Sequence, residues 1–261
     1  MIDTHCHLTF PDFKGRADAV LADAASHGVS GCITISTTSA DCLDALEIAR
    51  AHDRAWCSAG VHPLYADRDP RLWHNILAAA RDPKCVAWGE LGLDNHYPTP
   101  APDIQRPVLL HQLTLIADAR ASGINLPVIL HCREAFDDLI PILKASTLDT
   151  SRMVFHCFTG TPDNARACLD LGAMISFTGV VTYRNAKDVQ DAARLVPADR
   201  IMVETDAPFL SPEPHRGRRP CEPWMTSLTA RFLADLRAVP FDDFHTQLNL
   251  NTSRFFNIHA L

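Results

Sequence analysis

The sequence predicts a closed barrel of eight parallel strands, each followed by a helix. Short apolar runs alternate with longer segments of helical periodicity along the 261 residues. The strand-like runs are almost continuously apolar, as expected when both faces of a parallel sheet are covered. No Gly-x-Gly-x-x-Gly follows the first run, which makes an open doubly wound sheet the weaker alternative. We therefore predict an α/β fold of the (β/α)8, or TIM-barrel, type.

The strand predictions rest on short runs that are rich in apolar and β-branched residues. The predicted strands are 1–8, 31–36, 55–62, 86–93, 127–132, 153–158, 173–179 and 201–207.

The helix predictions rest on apolar residues that recur at a spacing of three or four. The segment 104–122 is typical, since Val108, Leu109, Leu113 and Ile116 alternate with polar residues. The predicted helices are 16–27, 40–51, 71–81, 104–122, 135–144, 162–171, 186–195, 224–236 and 243–256.

Composition indicates one globular domain over residues 1–261, with 47% hydrophobic and 21% charged residues. A net charge of −7 argues against a nucleic-acid coat protein, although an enzyme with a local phosphate-binding patch is compatible with it. No apolar run is long enough for a membrane span, and no secretory signal is evident. The nine cysteines are odd in number and form no Cys-x-x-Cys, so we expect reduced thiols in the cytoplasm. Nothing in the sequence indicates an obligate protein partner.

The first predicted strand carries two histidines two residues apart, His5 and His7. Residues i and i+2 of a strand point to the same side, so both imidazoles project together with the carboxylate of Asp3 beneath them. Imidazole is the commonest metal ligand among side chains, yet a single His-x-His is weak evidence by itself.

Four further residues of metal-ligand type follow apolar runs, namely Glu90, His131, His156 and Asp206. His131 or His156 alone is more simply interpreted as a satisfied core histidine or a loop hydrogen-bonder. Glu90 and Asp206 are harder to explain structurally, because a buried unpaired carboxylate is costly. Together with His5 and His7, however, all six fall where strands end, which is the catalytic face of a barrel. Four histidines and two carboxylates suit two divalent ions about 3.5–4 Å apart. Glu90 is the natural bridging ligand.

The chain resembles the TatD family of metal-dependent hydrolases, which belongs to the amidohydrolase-like barrels. The resemblance extends over nearly the whole length. The motifs that carry it are Asp3-Thr-His-Cys-His-Leu8, Gly60-Val-His-Pro63, Gly89-Glu-Leu-Gly-Leu-Asp94, His131-Cys-Arg133, His156-Cys-Phe-Thr-Gly160, Glu204-Thr-Asp-Ala-Pro208 and Asn251-Thr-Ser-Arg-Phe255.

The resemblance implies how the ligands divide between the two ions. One ion takes His5, His7, Glu90 and Asp206, and the other takes Glu90, His131 and His156. It also implies a Mg²⁺-supported deoxyribonuclease that processes single strands from the 3′ end, with Zn²⁺, Mn²⁺ and Ni²⁺ as other candidate metals and RNA as another candidate substrate. Some relatives act instead on D-aminoacyl-tRNA esters, so a hydrolase of ester or amide bonds is the alternative.

Further roles follow from position. Asp206 is the candidate general base, because it is a ligand that also reaches the attacking water. Asp3 is expected behind the metal ligands, beneath the His5–His7 pair. Glu204 either orients a ligand histidine from behind or is a buried ion-pair partner. His62, Arg133 and Arg216 are the candidates for contacting the substrate anion, since a guanidinium suits a phosphate.

Two segments depart from the family pattern, and both lie where substrate would be held. The loop His215-Arg-Gly-Arg-Arg-Pro-Cys-Glu-Pro223 carries Pro220-Cys221 where one Asn is usual, and Asn95-His96-Tyr97 follows Asp94 where an aromatic residue commonly follows directly. These departures bear on substrate choice more than on metal chemistry. A metal-binding protein without turnover is the third reading, and Asp206 argues against it, because the histidines and Glu90 would suffice for a structural site.

Overall fold

In the computed structural model, which describes residues 1–258, eight parallel strands pair in chain order from β1 to β8. The predicted (β/α)8 barrel is therefore confirmed. The strands are β1 (Ile2–Cys6), β2 (Gly31–Thr34), β3 (Ala55–Ala59), β4 (Cys85–Asp94), β5 (Val128–Arg133), β6 (Met153–Phe155), β7 (Met174–Phe177) and β8 (Ile201–Val203).

Helices follow the strands, and the order is the one that periodicity predicted. Among the described residues, no helix combines the length and the apolar character that a membrane span requires. The helices are α1 (Ala17–Ser26), α2 (Asp41–Ala51), α3 (Trp73–Ala80), α4 (Pro102–Ala121), α5 (Phe136–Ala145), α6 (Pro162–Asp170), α7 (Lys187–Leu195), α8 (Thr226–Leu236) and α9 (Phe241–Phe256).

Six of the eight strands end two to four residues earlier than predicted, among them the two that precede His156 and Asp206. The runs 153–158 and 201–207 pair as strands only to Phe155 and Val203, respectively. Beyond them the backbone leaves the sheet, and Cys157 and Asp206 adopt positive φ angles of 43° and 62°. The prediction that Asp206 ends a strand was therefore wrong, because apolar character continues past the point where the ladder stops.

The barrel closes between its first and last strands at the carboxyl end. Cys6 and Ala207 form an isolated parallel bridge. The amide of His7 donates to the carbonyl of Ala207 at 2.7 Å, and the amide of Asp206 donates to the carbonyl of His5 at 2.8 Å. Closure thus joins the His5–His7 segment directly to Asp206, 199 residues later in the chain.

The apolar layer inside the barrel indicates which side chains point toward the opening at the carboxyl ends of the strands. One apolar cluster in the barrel interior contains Ile129, Val154 and Met202. Two residues further along lie His131, His156 and Glu204, respectively. Because side chains of a strand alternate with a period of two, each of these polar residues continues the inward face of its strand.

Helix α9 covers the opposite end of the barrel. Phe255 and Phe256, at its end, belong to the same apolar cluster as the inward residues of the strands. Asn251 is fully buried, and its Nδ2 donates to the carbonyls of Ala198 and Ile201, both at 2.8 Å. One side chain therefore attaches α9 to the start of β8.

We predict that Asn251→Ala lowers the free energy of unfolding by about 1–3 kcal/mol, because buried carbonyls lose their donor. Urea denaturation at neutral pH measures this difference. Leu250→Ala is the matched control, since Leu250 is 59% exposed on the same helix. Its effect should stay within about 0.5 kcal/mol. Equal stability of the two variants would contradict the anchoring role of Asn251.

Candidate metal centre

A cavity of about 790 Å³ opens at the carboxyl ends of the strands. Its volume lies within the range of about 300–1,000 Å³ that is typical of ligand pockets. His7, Glu90, His131, His156 and Asp206 line it. The sixth predicted ligand, His5, is fully buried next to them. The structure thus brings all six predicted ligands together.

The first group of ligand atoms surrounds the His-x-His pair. The Nε2 atoms of His5 and His7 lie 3.3 Å apart. Asp206 Oδ1 lies 3.2 Å from the Nε2 of His7 and 3.6 Å from that of His5. Glu90 Oε2 approaches the Nε2 of His5 to 3.3 Å. These four side chains therefore converge on one point.

The second group of ligand atoms surrounds the other oxygen of Glu90. Glu90 Oε1 lies 2.6 Å from His156 Nε2 and 2.8 Å from His131 Nδ1. His156 Nε2 and His131 Nδ1 are 3.4 Å apart. Because Oε2 of Glu90 faces His5 of the first group and Oε1 faces His131 and His156 of the second, the carboxylate has the placement of a bridging ligand.

The backbone around Glu90 is packed too tightly for side chains. A Cβ on Gly60 would lie 2.5 Å from the Cα of Gly89, and a Cβ on Gly89 would lie 2.5 Å from the carbonyl oxygen of Ile129. The φ angle of Gly89 is +121°, which favours glycine further. Ser58 Oγ donates to the Gly89 carbonyl at 2.6 Å. Gly60 and Gly89 thus let β4 pack closely against the end of β3 and against β5, which positions Glu90.

Hydrogen bonds on the far side of two imidazoles fix their tautomers. The Nδ1 of His7 lies 3.1 Å from the carbonyl oxygen of Ile35, and the Nε2 of His131 lies 2.8 Å from Asp94 Oδ2. Only an N–H satisfies these acceptors, so when the ring is neutral its lone pair lies on the opposite nitrogen, which faces Asp206 in His7 and Glu90 in His131. Both rings therefore offer a free nitrogen to a metal ion.

Asp94 is the site residue that sequence reasoning missed. Its side chain is buried, and it orients His131 as a carboxylate partner behind a metal ligand commonly does. A signal was present, because Asp94 follows Glu90 by four residues on β4 and an even spacing places both on one face.

Glu204 lies where it was expected, behind a ligand histidine. Its Oε1 is 3.5 Å from His156 Nδ1 and accepts the amide of Cys157 at 2.5 Å. Its Oε2 accepts the hydroxyl of Thr4 at 3.3 Å. Glu204 therefore holds both His156 and the chain segment that follows it.

Asp3 supports the site through hydrogen bonds to the segment before Asp206. Its carboxylate accepts the amide of Thr205 at 2.9 Å and the hydroxyl of Thr205 at 2.5 Å, and does not orient an imidazole ring. It also accepts the amide of His5 at 3.3 Å. Burial raises the pKa of Asp3 to about 8, against the opposing effect of these hydrogen bonds. Asp3 thus fixes the residue before Asp206 through the hydrogen bonds that it accepts from Thr205.

Charge inside the cluster is balanced around one buried anion. Burial disfavours the ionised form of Glu90, yet the facing imidazoles of His156, His62 and His5 hold its pKa well below the usual range. Burial lowers the pKa of His5. The pKa of His156 is raised well above its usual value, because Glu90 and Glu204 outweigh its burial. A divalent ion between these groups would take the place of the proton, as metal binding generally does.

Asp206 is an ionised carboxylate at the edge of the cavity. Burial raises its pKa, but the hydrogen bond from His7 and the nearby His5 bring the pKa below its ordinary value. Its side chain retains 16% exposure, whereas Glu90 retains 1%. Of the two carboxylates that face the histidines, Asp206 is therefore the one that solvent or substrate reaches.

His62 lies inside the ligand cluster. Its Nε2 is 3.3 Å from Glu90 Oε1 and 3.1 Å from His131 Nδ1. Its Nδ1 accepts the amide of Leu64 at 3.0 Å, so the neutral ring carries its proton on Nε2. Burial lowers the pKa of His62 to about 4, which keeps the ring neutral. In this tautomer His62 donates a hydrogen bond and does not offer a lone pair to a metal.

The two predicted arginines have different positions. Arg133 lines the cavity. Arg216 packs on the ring of Tyr183 at 4.1 Å and donates to Asn185 at 3.3 Å, and it is not among the residues that line the cavity within the described chain. Arg133 is thus the better placed of the two for a ligand near the histidines.

The other arginines of the 215–223 loop are paired with carboxylates. Arg218 lies 3.0 Å from Glu222, and Arg219 lies 3.2 Å from Asp12. These exposed pairs neutralise much of the charge that the loop displays in the sequence.

Comparison with known proteins agrees with the resemblance seen in the motifs. The family described as TatD related DNase matches residues 2–257. The chain is 36% identical to the uncharacterized metal-dependent hydrolase YcfH of Escherichia coli K12, covering 100% of this chain and 97% of the relative. It is also 36% identical to the 3′-5′ ssDNA/RNA exonuclease TatD of Erwinia tasmaniensis, covering 99% and 100%. The crystal structure of YJJV, a TatD homolog from Escherichia coli K12, superposes with a TM-score of 0.90 at 32% identity, covering 99% and 98%.

We predict that Asp94→Asn weakens binding of a divalent ion by about 10- to 100-fold, because His131 loses the carboxylate that raises its basicity and orients its Nδ1. Titration in competition with a chromogenic chelator measures the change. Asp138→Asn is the matched control, since Asp138 bonds Asn95 at the surface close by. If both variants bind metal as the unmodified protein does, Asp94 has no positioning role.

Proposed function

The chain belongs to the family of TatD-related DNases, and from that premise we propose that it is a divalent-metal-dependent nuclease that removes nucleotides from the 3′ end of single-stranded DNA or RNA. That it is a metal-dependent hydrolase follows from the family and its relatives. The observation that carries the finer proposal is the division of the Glu90 oxygens between two histidine groups, on the floor of a cavity that Arg133 also lines.

The residues fit two divalent ions. His5, His7, Glu90 and Asp206 would hold one, and Glu90, His131 and His156 would hold the other. Imidazole and carboxylate ligands suit Zn²⁺, Mn²⁺ and Ni²⁺, and we propose Mg²⁺ for activity, by analogy with the family. When bound, such ions lower the pKa of a water and neutralise charge on a phosphate oxygen.

The side chains of the protein supply the remaining functions. Asp206 is the proposed general base, because it is ionised, reachable from the cavity and adjacent to the His5–His7 pair. His62 donates its Nε2–H toward the region beside Glu90, where a substrate oxygen would compete for it. Arg133 offers a guanidinium to a phosphate at the wall of the cavity.

The substrate and location follow from the same proposal. The relative from Erwinia tasmaniensis is named an exonuclease on single-stranded DNA and RNA, which supports a nucleic acid or another phosphate-containing substrate. All nine cysteines are free thiols, which supports a reducing compartment such as the cytoplasm. No obligate protein partner is part of the proposal.

We expect Asp206→Asn to lower kcat at least about 100-fold, the usual scale for loss of a general base, while most of the bound metal remains. Metal content by elemental analysis and steady-state cleavage of a labelled oligonucleotide test this. Glu90→Ala is the contrasting variant, since it should remove metal and activity together. Near-normal turnover of Asp206→Asn with full metal content would exclude Asp206 as the base.

The reaction itself is tested by sulfur substitution at the scissile linkage. A sulfur in place of one non-bridging oxygen should slow cleavage with Mg²⁺, and the softer Mn²⁺ should partly restore the rate, because the phosphate oxygen is neutralised by metal. The control is the same oligonucleotide with the sulfur one linkage upstream of the cut.

The rival reaction is removal of a D-amino acid from its tRNA. It would release a free amino acid and leave the phosphate backbone intact. Intact oligonucleotides beside rapid deacylation would overturn the nuclease proposal and leave the metal-dependent hydrolase unaffected.

A further inference from the structure

Tyr97 stands out among the aromatic residues near the metal centre. Its side chain is 45% exposed, and it is the one aromatic residue of the described chain that is more than about a third exposed. It lines the same cavity as the ligand histidines. An aromatic ring that faces solvent beside a charged cavity is free to contact a ligand.

The backbone that carries Tyr97 is held by the carboxylate that orients a ligand histidine. Asp94 Oδ1 accepts the amides of His96 at 3.0 Å and Tyr97 at 3.1 Å. The second oxygen, Oδ2, receives His131 Nε2 at 2.8 Å. Tyr97 is therefore at a fixed position relative to the metal centre, because one buried side chain holds both.

Neighbouring residues tie the same segment to the end of β5. The amide of Asn95 donates to the carbonyl of Arg133 at 2.9 Å. The side chain of His96 lies 2.8 Å from Glu134 Oε1. The segment from residue 95 to 97 is thus bonded at each residue, and Tyr97 is preorganised although its ring is exposed.

A guanidinium accompanies the ring. The Cζ of Arg133 lies 5.1 Å from the ring centroid of Tyr97, which is a cation–π distance. Arg133 also lines the cavity, so ring and charge lie on the same wall. The combination of an aromatic platform and a nearby cation is the arrangement that binds a base and its phosphate in proteins that hold single strands.

The other aromatic residues of the cavity are less suited to this role. Tyr65 is less exposed and packs edge-on against His62 at 6.1 Å. Phe209 packs against Phe10 at 5.9 Å, and the arginine over it is paired with Asp12. Tyr97 with Arg133 is therefore the pair whose ring and charge both line the cavity, since Arg68, which lies 4.4 Å from the Tyr65 ring, is not among the lining residues of the described chain.

We infer that Tyr97 and Arg133 form a nucleotide subsite, in which a base flanking the scissile phosphodiester stacks on Tyr97 and its phosphate contacts Arg133. The inference rests on the proposed nuclease function and adds the part of the site that holds the strand. Stacking tolerates any base, because every base has an aromatic face, so the subsite would serve an enzyme that advances along a strand.

Substitution of Tyr97 tests the subsite. Tyr97→Ala should raise KM for a single-stranded oligonucleotide about 5- to 150-fold, the loss expected for one stacked base, with kcat within about twofold. Tyr97→Phe should behave as the unmodified protein. Phe241→Ala is the matched control, because Arg231 lies 4.1 Å over that ring on the outer helices. It should leave KM unchanged.

An abasic nucleotide tests the same contact from the substrate. Placed on either side of the scissile phosphate in turn, it should raise KM of the unmodified protein at one position. At that position, unmodified protein and Tyr97→Ala should no longer differ. A nucleobase-free chromogenic phosphodiester, cut equally by both proteins, shows that the metal centre is intact.

The nuclease function and the Tyr97–Arg133 subsite are contradicted by different results. If the unmodified protein cuts neither the oligonucleotide nor the chromogenic phosphodiester, the nuclease function is wrong and the subsite with it. If it cuts both, and Tyr97→Ala keeps the original KM on every oligonucleotide, only the subsite is wrong.

Discussion

The structure depends on one buried carboxylate, Glu90. An ionised carboxylate inside a barrel is costly unless charges and hydrogen bonds surround it. Imidazoles surround this one, and they come from β1, β5 and the segments that follow β3 and β6. The glycines that let the backbone approach Glu90 serve the same arrangement. Removal of the Glu90 carboxylate would leave the surrounding histidines without the acceptor that they share. The arrangement of side chains at the carboxyl end of the barrel therefore depends on Glu90.

A second set of carboxylates keeps these ligands in place. Asp94 orients His131, Glu204 supports His156, and Asp3 fixes the chain before Asp206. Each connects strands that are remote in sequence, and each is buried. The closure between β1 and the segment after β8 also brings His5, His7 and Asp206 together through backbone hydrogen bonds. The candidate ligands are therefore positioned by hydrogen bonds from neighbouring residues, an arrangement that suits catalysis by preorganised groups.

The part of the cavity proposed to hold substrate offers fewer charged side chains than the candidate metal centre. The positive charge of the 215–223 loop is largely paired, through Arg218 with Glu222 and Arg219 with Asp12. Arg133 remains on the cavity wall beside Tyr97. Asp94 connects both sides, because it bonds a ligand histidine and the backbone of Tyr97. In a protein with a net charge of −7, the proposed contact with an anionic substrate would therefore depend on a small number of positions.

The sequence by itself determined the barrel and the six converging ligands. Both depend on local features of the chain, namely the apolar runs, their periodicity and the polar residues that follow them. Such features can be recognised from the sequence alone. Tertiary structure alone decided that β8 ends at Val203, that Asp206 sits in a left-handed turn, and that Asp3 bonds Thr205. It also decided that Arg218 and Arg219 are paired and that Asp94 holds both His131 and Tyr97. The physical reason is common to all of these. A hydrogen bond or an ion pair is fixed by which partner lies within about 3 Å, and here most partners come from distant parts of the chain.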